Sequence, residues 1–241
     1  PYAYLDEAGL EERRARATTL GRTLPEAPGK LDQSAIDEVR RECWPDLRDE
    51  HELHDLLLSL VALPLSFADR PEARHWEQFF ERLAQTGRAC AIDLNGIPCW
   101  AAAERIFYCA ALFADGQKDT AGVTKDTAIK QCVQGWSQVL GPTTARSFAA
   151  MLGLEPSAVF QAFLAMEMQG LSMRGAFEHP AAVDDYDIEW CERRILQRIH
   201  RRTLHTLRRQ VEAVSPAVYM RWLLGWQHLA PQTQLSGEDG A

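Results

Sequence analysis

The spacing of apolar side chains predicts a series of short amphipathic helices interrupted by two pieces of β-structure. Residues 10–20 carry EERRAR, which places opposite charges at i,i+4 and predicts an exposed charged helix. Residues 21–30 are rich in Pro and Gly and read as a linker. Ile36, Val39 and Cys43 mark a short helix that stops before Pro45. Asp49, with Glu52 three residues on, has the form of a capping box for a second helix. Its apolar face is Leu53, Leu56, Leu57, Leu60 and Val61. Trp76, Phe79, Phe80 and Leu83 give a third helix, ended by Gly87. In ACAIDLNGIPCW, Asn95-Gly96 between two apolar runs is a strong hairpin signal, and Pro98 confines the second strand to a sheet edge. A further helix is expected from about Ala101 to Phe113.

After a polar linker at 115–125 the pattern repeats. A first helix shows Ile129, Cys132, Val133, Trp136, Val139 and Leu140, and ends at Gly141-Pro142. A second shows Ala145, Phe148, Ala149 and Leu152, ended by Gly153. A third starts with Pro156 in its first turn, shows Val159, Phe163 and Met166, and ends at Gly170. LSMRGAF then alternates as a strand does. Three helices followed by a hairpin is the winged-helix order, and it occurs twice. The expected fold is mainly α, with tandem winged-helix-like units followed by a long basic helix. The expected organisation is a leading helix and linker at 1–33, a first unit at 34–115 and a second at 116–180. The basic helix and a closing helix occupy 181–230, and a tail runs over 231–241.

The basic helix lies within residues 187–211, DIEWCERRILQRIHRRTLHTLRRQV. It contains seven arginines, three acids and no Gly or Pro. On a wheel of about 100° per residue, Ile188, Ile195, Ile199, Thr203, Leu207 and Val211 form one apolar stripe. Arg194, Arg198, Arg201, Arg202, Arg208 and Arg209 gather on the other side, and Arg193 sits apart. Asp184, Asp185, Asp187 and Glu189 fall at the helix start, where the dipole favours negative charge. Two readings of the guanidinium face stand. One is a solvated face in salt bridges; the other is a track for nucleic-acid phosphates, which arginine holds in bidentate fashion. A final helix begins at Ser215-Pro216 and carries Tyr219, Trp222, Leu223 and Trp226.

Charge changes the picture only by its distribution. The net charge is −8, yet residues 127–241 carry 11 basic and 11 acidic side chains, and the whole excess of acid lies before them. A polyanion therefore meets the second half. The third helix of the second unit, residues 156–169, has no Lys or Arg, so base readout in a major groove is not expected. The wing supplies one cation, Arg174. Backbone binding without sequence preference fits better. Trp190, Trp222 and Trp226 flank the basic helix as core residues or as stacking platforms for bases.

No phosphate-binding loop, no G-x-S-x-G and no HExxH is present, so no catalytic residue is assigned. His51 and His54 lie one turn apart beside Asp55, but no cysteine has ligand spacing, and no metal site is assigned. The six cysteines are scattered, no signal peptide is visible and no apolar run reaches the ~18 residues of a membrane span. These features predict a cytoplasmic protein that does not engage a membrane. Pro1 in place of an initiator methionine suggests a piece of a longer chain.

Several stretches are more specific. PYAYLDEAGLEERRARA, ECWPDLRDEHELHDLLLSL, GWSQVLGPTTARSFAAMLGL, EMQGLSMRGAF, EWCERRILQRIHRRT and WQHLAPQTQL resemble, in this order, the large helicase-related (Lhr) family of bacterial superfamily 2 helicases. The resemblance implies a nucleoid-associated, ATP-dependent 3′-to-5′ helicase that unwinds DNA and RNA:DNA hybrids in repair. It places this chain downstream of two motor domains, which would bind ATP and Mg; this segment has no motif for either. The implied partners are DNA, as a single strand or fork or an RNA:DNA hybrid, and the motors of the same polypeptide. The residues expected to hold the strand are Arg194, Arg198, Arg201, Arg202, Arg208 and Arg209, with Arg174 on the wing. A second expectation is a structural bridge or homo-oligomerisation module whose arginines pair with acids. A third is a glycosylase-like fragment using Asp184 or Asp187.

Overall fold

The computed structural model describes residues 31–68, 70, 73–113, 120–179, 184–210, 214–229 and 231. The helix expected at 10–20, the linker at 21–30 and residues 232–241 of the tail lie outside the described residues. Among the described residues the chain is mainly helical, with two small antiparallel sheets. It forms two compact units, residues 1–199 and 200–241.

In the first unit, one order of elements occurs twice. The first copy is α2 (Glu50–Leu60), β1 (Leu63–Pro64), α3 (Leu65–Ala68), α4 (Trp76–Gln85), β2 (Ala89–Leu94) and β3 (Ile97–Ala102). The second is α6 (Lys125–Leu140), β4 (Thr143–Thr144), α7 (Ala145–Leu152), α8 (Pro156–Met168), β5 (Ser172–Gly175) and β6 (Glu189–Glu192). The sheet orders are β1-β3-β2 and β4-β6-β5, so each last strand lies between the other two. The correspondence reaches single residues. Trp100 on β3 pairs opposite Leu63, and Trp190 on β6 opposite Thr143, the first residue of the short strand in each case. Trp100 stacks on Phe80 of α4 at 4.3 Å, and Trp190 on Phe163 of α8 at 5.4 Å. The third helix of each copy is thus fixed to its sheet by a Trp–Phe stack. Between the copies, a 3-10 turn at Ala103–Arg105 leads into α5 (Ile106–Leu112).

Local signals account for most boundaries. Asp49 accepts from the N–H groups of His51 and Glu52, while Glu52 accepts from Arg48 N–H, a capping box displaced by one residue. Thr144 and Ser147 form a true capping box on α7. Asn95 and Gly96 both have positive φ, as a tight two-residue hairpin turn requires.

Four expectations are corrected. The repeat begins at α2 and not at the helix carrying Ile36, Val39 and Cys43. That helix, α1 (Gln33–Cys43), buries Ala35, Ile36 and Val39 against Cys191, Ile195 and Ile199. The missing second helix is α3, too short to show a period. Pro98 lies on the central strand, not on an edge strand. It is tolerated because two-residue β1 reaches only Cys99 and Trp100, so the absent N–H of Pro98 breaks no bond on that side. No helix starts at Ala101, because Ala101 and Ala102 stay paired with Cys90 and Ala89. Finally, residues 189–192 are a strand, and the basic helix begins after it.

A single apolar core runs through both copies, from Leu53 on α2 to Trp190 on β6. At its centre α2 and α6 cross, and the end of α2 is capped by side chains from elsewhere. Leu58 O accepts from Arg105 Nε (2.8 Å), Leu60 O from the Cys132 thiol, Val61 O from the Cys109 thiol and Ala62 O from Trp136 Nε1 (3.2 Å). Burial pushes the thiol of Cys109 up to about 12, so it stays a neutral donor. The end of α6 is capped the same way by Arg40 of α1, which donates to Leu140 O and Pro142 O and pairs with Glu178.

The second unit holds the rest of α9, whose full range is Arg193–Gln210, and α10 (Pro216–Trp226). Ser215 caps α10, and Pro216 occupies its first turn. No helix among the described residues is long and apolar enough to cross a membrane.

Candidate nucleic-acid interface

The start of α9 is set by Glu192, whose carboxylate accepts from the N–H groups of Arg194 and Ile195. Arg193 N–H donates to Leu171 O and ties the helix start to the strand β5 side. Ile195 and Ile199 then turn toward α1, which carries Arg194 and Arg198 to the solvent side. Thr203 is buried four residues on, as the stripe predicts. The stripe ends there. Leu207 is half exposed, and Val211 lies outside the described residues.

The structure places the predicted arginines differently from one another. Arg194 is exposed, and its guanidinium has no carboxylate partner among the described residues. Arg198 is committed to α1: its guanidinium donates to Glu42 (2.6 Å) and to the Cys43 sulfur (3.2 Å). Burial pushes the Cys43 thiol up despite this nearby cation. In the second unit, Arg201 and Arg208 are exposed without a carboxylate partner among the described residues. Arg202 is half-buried, and the side chain of Arg209 lies outside the described residues. Arg174 on β5 pairs with Glu167 (3.3 Å) and lies 5.9 Å from the Trp190 ring centroid.

The tryptophans divide. Trp190 is fully buried between Phe160 and Phe163 and offers nothing to a ligand. Trp222 and Trp226 on α10 are exposed and stacked at 5.9 Å, with Tyr219 6.1 Å from Trp222.

The acids before α9 also have partners that the sequence did not show. Arg146 on α7 holds Asp187 in a two-pronged contact (2.7 and 3.3 Å) and also pairs with Asp184. Those carboxylates keep the Arg146 guanidinium firmly charged, above its ordinary value. Glu189 is buried and accepts from Phe177 N–H, Glu178 N–H (2.9 Å) and His179 Nδ1 (2.6 Å). Burial raises its pKa, but the His179 bond and the backbone donors prevail and hold it below the usual carboxylate range. The hydrogen bond to Glu189 raises His179 in turn. Arg146 and His179 carry no signal in sequence, and Glu189 shows there only as an acid at the helix start, since their partners lie 10 to 41 residues away.

The histidine pair is likewise taken up. Arg88 donates to Nδ1 of His51 (3.1 Å) and of His54 (3.0 Å). A guanidinium cannot accept, so both Nδ1 atoms are lone-pair acceptors, and His54 Nε2–H faces Glu104 (3.1 Å). The lone pairs a metal would need are engaged by Arg88.

These features define a mainly helical module with two copies of one helix–strand unit and an arginine-rich helix. Comparison with known proteins carries this further. Over 99% of its length, the chain is 29% identical to a protein of Mycolicibacterium smegmatis (strain ATCC 700084 / mc(2)155) named Lhr helicase/probable uracil glycosylase. The aligned part is 17% of that protein. No protein-family model matches the chain. The resemblance read from the sequence is borne out: the chain is similar to a segment of an Lhr-type helicase.

Proposed function

We propose that this chain is a non-motor, nucleic-acid-binding segment of an Lhr-type ATP-dependent helicase, and that its two repeated units are winged helices. The repeated order helix–strand–helix–helix–strand–strand, with the last strand in the middle, supports the second part. The first part rests on one observation. Arg194, Arg201 and Arg208 of α9 stand in solvent with no carboxylate partner among the described residues. Guanidinium groups left in this state meet phosphates at little desolvation cost.

The mode of binding follows from what the third helices lack. α8 has no Lys or Arg, and α4 exposes Glu77 and Glu81 beside Arg82. Neither suits base edges in a major groove. The segment therefore holds a strand by its backbone while motor domains of the same polypeptide, fuelled by ATP with Mg, move it. Single-stranded DNA, a fork or an RNA:DNA hybrid all present the required phosphates.

The test is fluorescence anisotropy of a labelled single strand and a fork, titrated at several salt concentrations. The wild-type chain is expected to bind with log affinity falling linearly against log salt. Changing Arg194, Arg201 and Arg208 together to Glu is expected to abolish binding at moderate salt while leaving the melting temperature nearly unchanged. Absence of binding by the wild type at low salt overturns the reading.

A further inference from the structure

A cleft of about 530 Å³ opens beside the first turn of α9, within the first unit. That volume lies in the ~300–1,000 Å³ range of sites for small ligands. Its apolar lining is Met166 at the end of α8, Leu171 before β5 and Ile195 on α9. One wall is α6, which presents Gln134 and Gln138 one turn apart on the same face. Arg194 also lines the cleft.

Four charged side chains line the cleft, Glu42, Glu192, Arg194 and Arg198. Glu42 is engaged by Arg198, and Glu192 is engaged by the N–H groups that open α9. Cys43 also lines the site, and burial raises its pKa, so it adds no thiolate. Arg194 is left. Among the described residues, neither its guanidinium nor the two glutamine amides have a hydrogen-bonding partner. Each primary amide offers two donors and one acceptor. The site thus combines apolar side chains, two amides that can pair with a mixed donor–acceptor edge, and one cation without a carboxylate partner, beside the Glu42–Arg198 pair and the Glu192 carboxylate.

We propose that this cleft takes one unstacked nucleotide of a bound single strand. The base lies over Met166, Leu171 and Ile195, its edge meets Gln134 and Gln138, and its phosphate meets Arg194. The proposal rests on the strand-binding reading above and deepens it. Phosphate contacts along α9 would give affinity without preference, whereas this cleft makes binding depend on the presence of a base. Unpaired bases alone can enter, which favours single strand over duplex.

The experiment compares an oligothymidylate of a dozen residues with an abasic strand of equal length and charge, at two or more salt concentrations. The wild-type chain is expected to bind the abasic strand about tenfold more weakly, with the same salt slope. The double variant Q134L/Q138L keeps the shape of the wall and removes the amides. It is expected to bind both strands almost equally, at the affinity of the wild type for the abasic strand. Equal affinity of the wild type for both strands overturns the cleft proposal while the strand-binding reading stands. So does a base preference that persists undiminished in Q134L/Q138L. Failure of the wild type to bind either strand at low salt overturns the strand-binding reading, and the cleft proposal with it.

Discussion

Gly135 on α6 lies against Ser59 on α2 so closely that a Cβ at Gly135 would stand 1.9 Å from the Ser59 carbonyl oxygen. The two helices that begin the repeated units meet at this point, backbone to backbone. A glycine in a helix ordinarily costs about 1 kcal/mol relative to alanine. Here the sign inverts. The obstacle is a carbonyl that cannot swing away, so Gly135→Ala must separate α2 from α6. The expected loss is about 3 kcal/mol or more, as for overpacking in a dense core. Urea unfolding measures it, and a gain in stability would show that the helices do not approach this closely.

The two ends of these first helices are closed by arginines, Arg105 on Leu58 O and Arg40 on Leu140 O and Pro142 O. Replacing Arg105 with Met keeps the stem and removes the donor. The half-buried carbonyl then loses its partner, at an expected cost of about 1–3 kcal/mol. Arg40→Met should cost at least as much, because it also strips Glu178 of its cation. Thermal melts of both variants rank the two caps.

Glu189 gives the second sheet a pH dependence. Its folded pKa is below the unfolded value, so the charged carboxylate stabilises the fold above the ordinary carboxylate range, and this contribution fades as pH falls through the lowered value. His179, raised by the same contact, contributes in the opposite sense: its share is complete below the usual histidine range and fades as pH rises through its raised value. Glu189→Gln leaves an amide facing the backbone donors of Phe177 and Glu178. We expect a loss of about 1–3 kcal/mol at neutral pH, smaller below about pH 4, and a flattened stability profile between pH 3 and 8. An unchanged profile in chemical denaturation would refute the assignment.

Arg198 and Arg208 should behave differently although they share a helix. Arg198 is paired with Glu42 at the surface, a contact worth under about 1 kcal/mol. Arg198→Ala is expected to leave the salt dependence of strand binding unchanged. Arg208→Ala removes an unpaired cation and should reduce the slope of log affinity against log salt by about 0.7. Equal slopes for the two variants would mean that the Glu42 pair opens on binding.

The sequence by itself determined most helices, the hairpin turn and the basic helix. Trp76, Phe79, Phe80 and Leu83 fall on one helical face, and Asn95-Gly96 admits the positive φ of a tight turn, whatever surrounds them. Such signals act over four residues or fewer, so they survive without knowledge of the fold. The three helices of the second copy were also legible, because each ends at a glycine or proline. The likeness to Lhr helicases was carried by the order of several stretches.

Only the tertiary structure decided which helix opens the first repeat, that residues 189–192 are a strand, and which arginines remain unpaired. EWCE continues the helical run on a wheel, yet burying Trp190 against Phe163 and Phe160 requires it to pair between β4 and β5. Arg198 meets an acid 156 residues away, and Arg146 meets acids 38 and 41 residues away. A guanidinium looks the same in sequence whether a carboxylate or water faces it. Chain folding brings the carboxylate, and no local periodicity encodes that encounter.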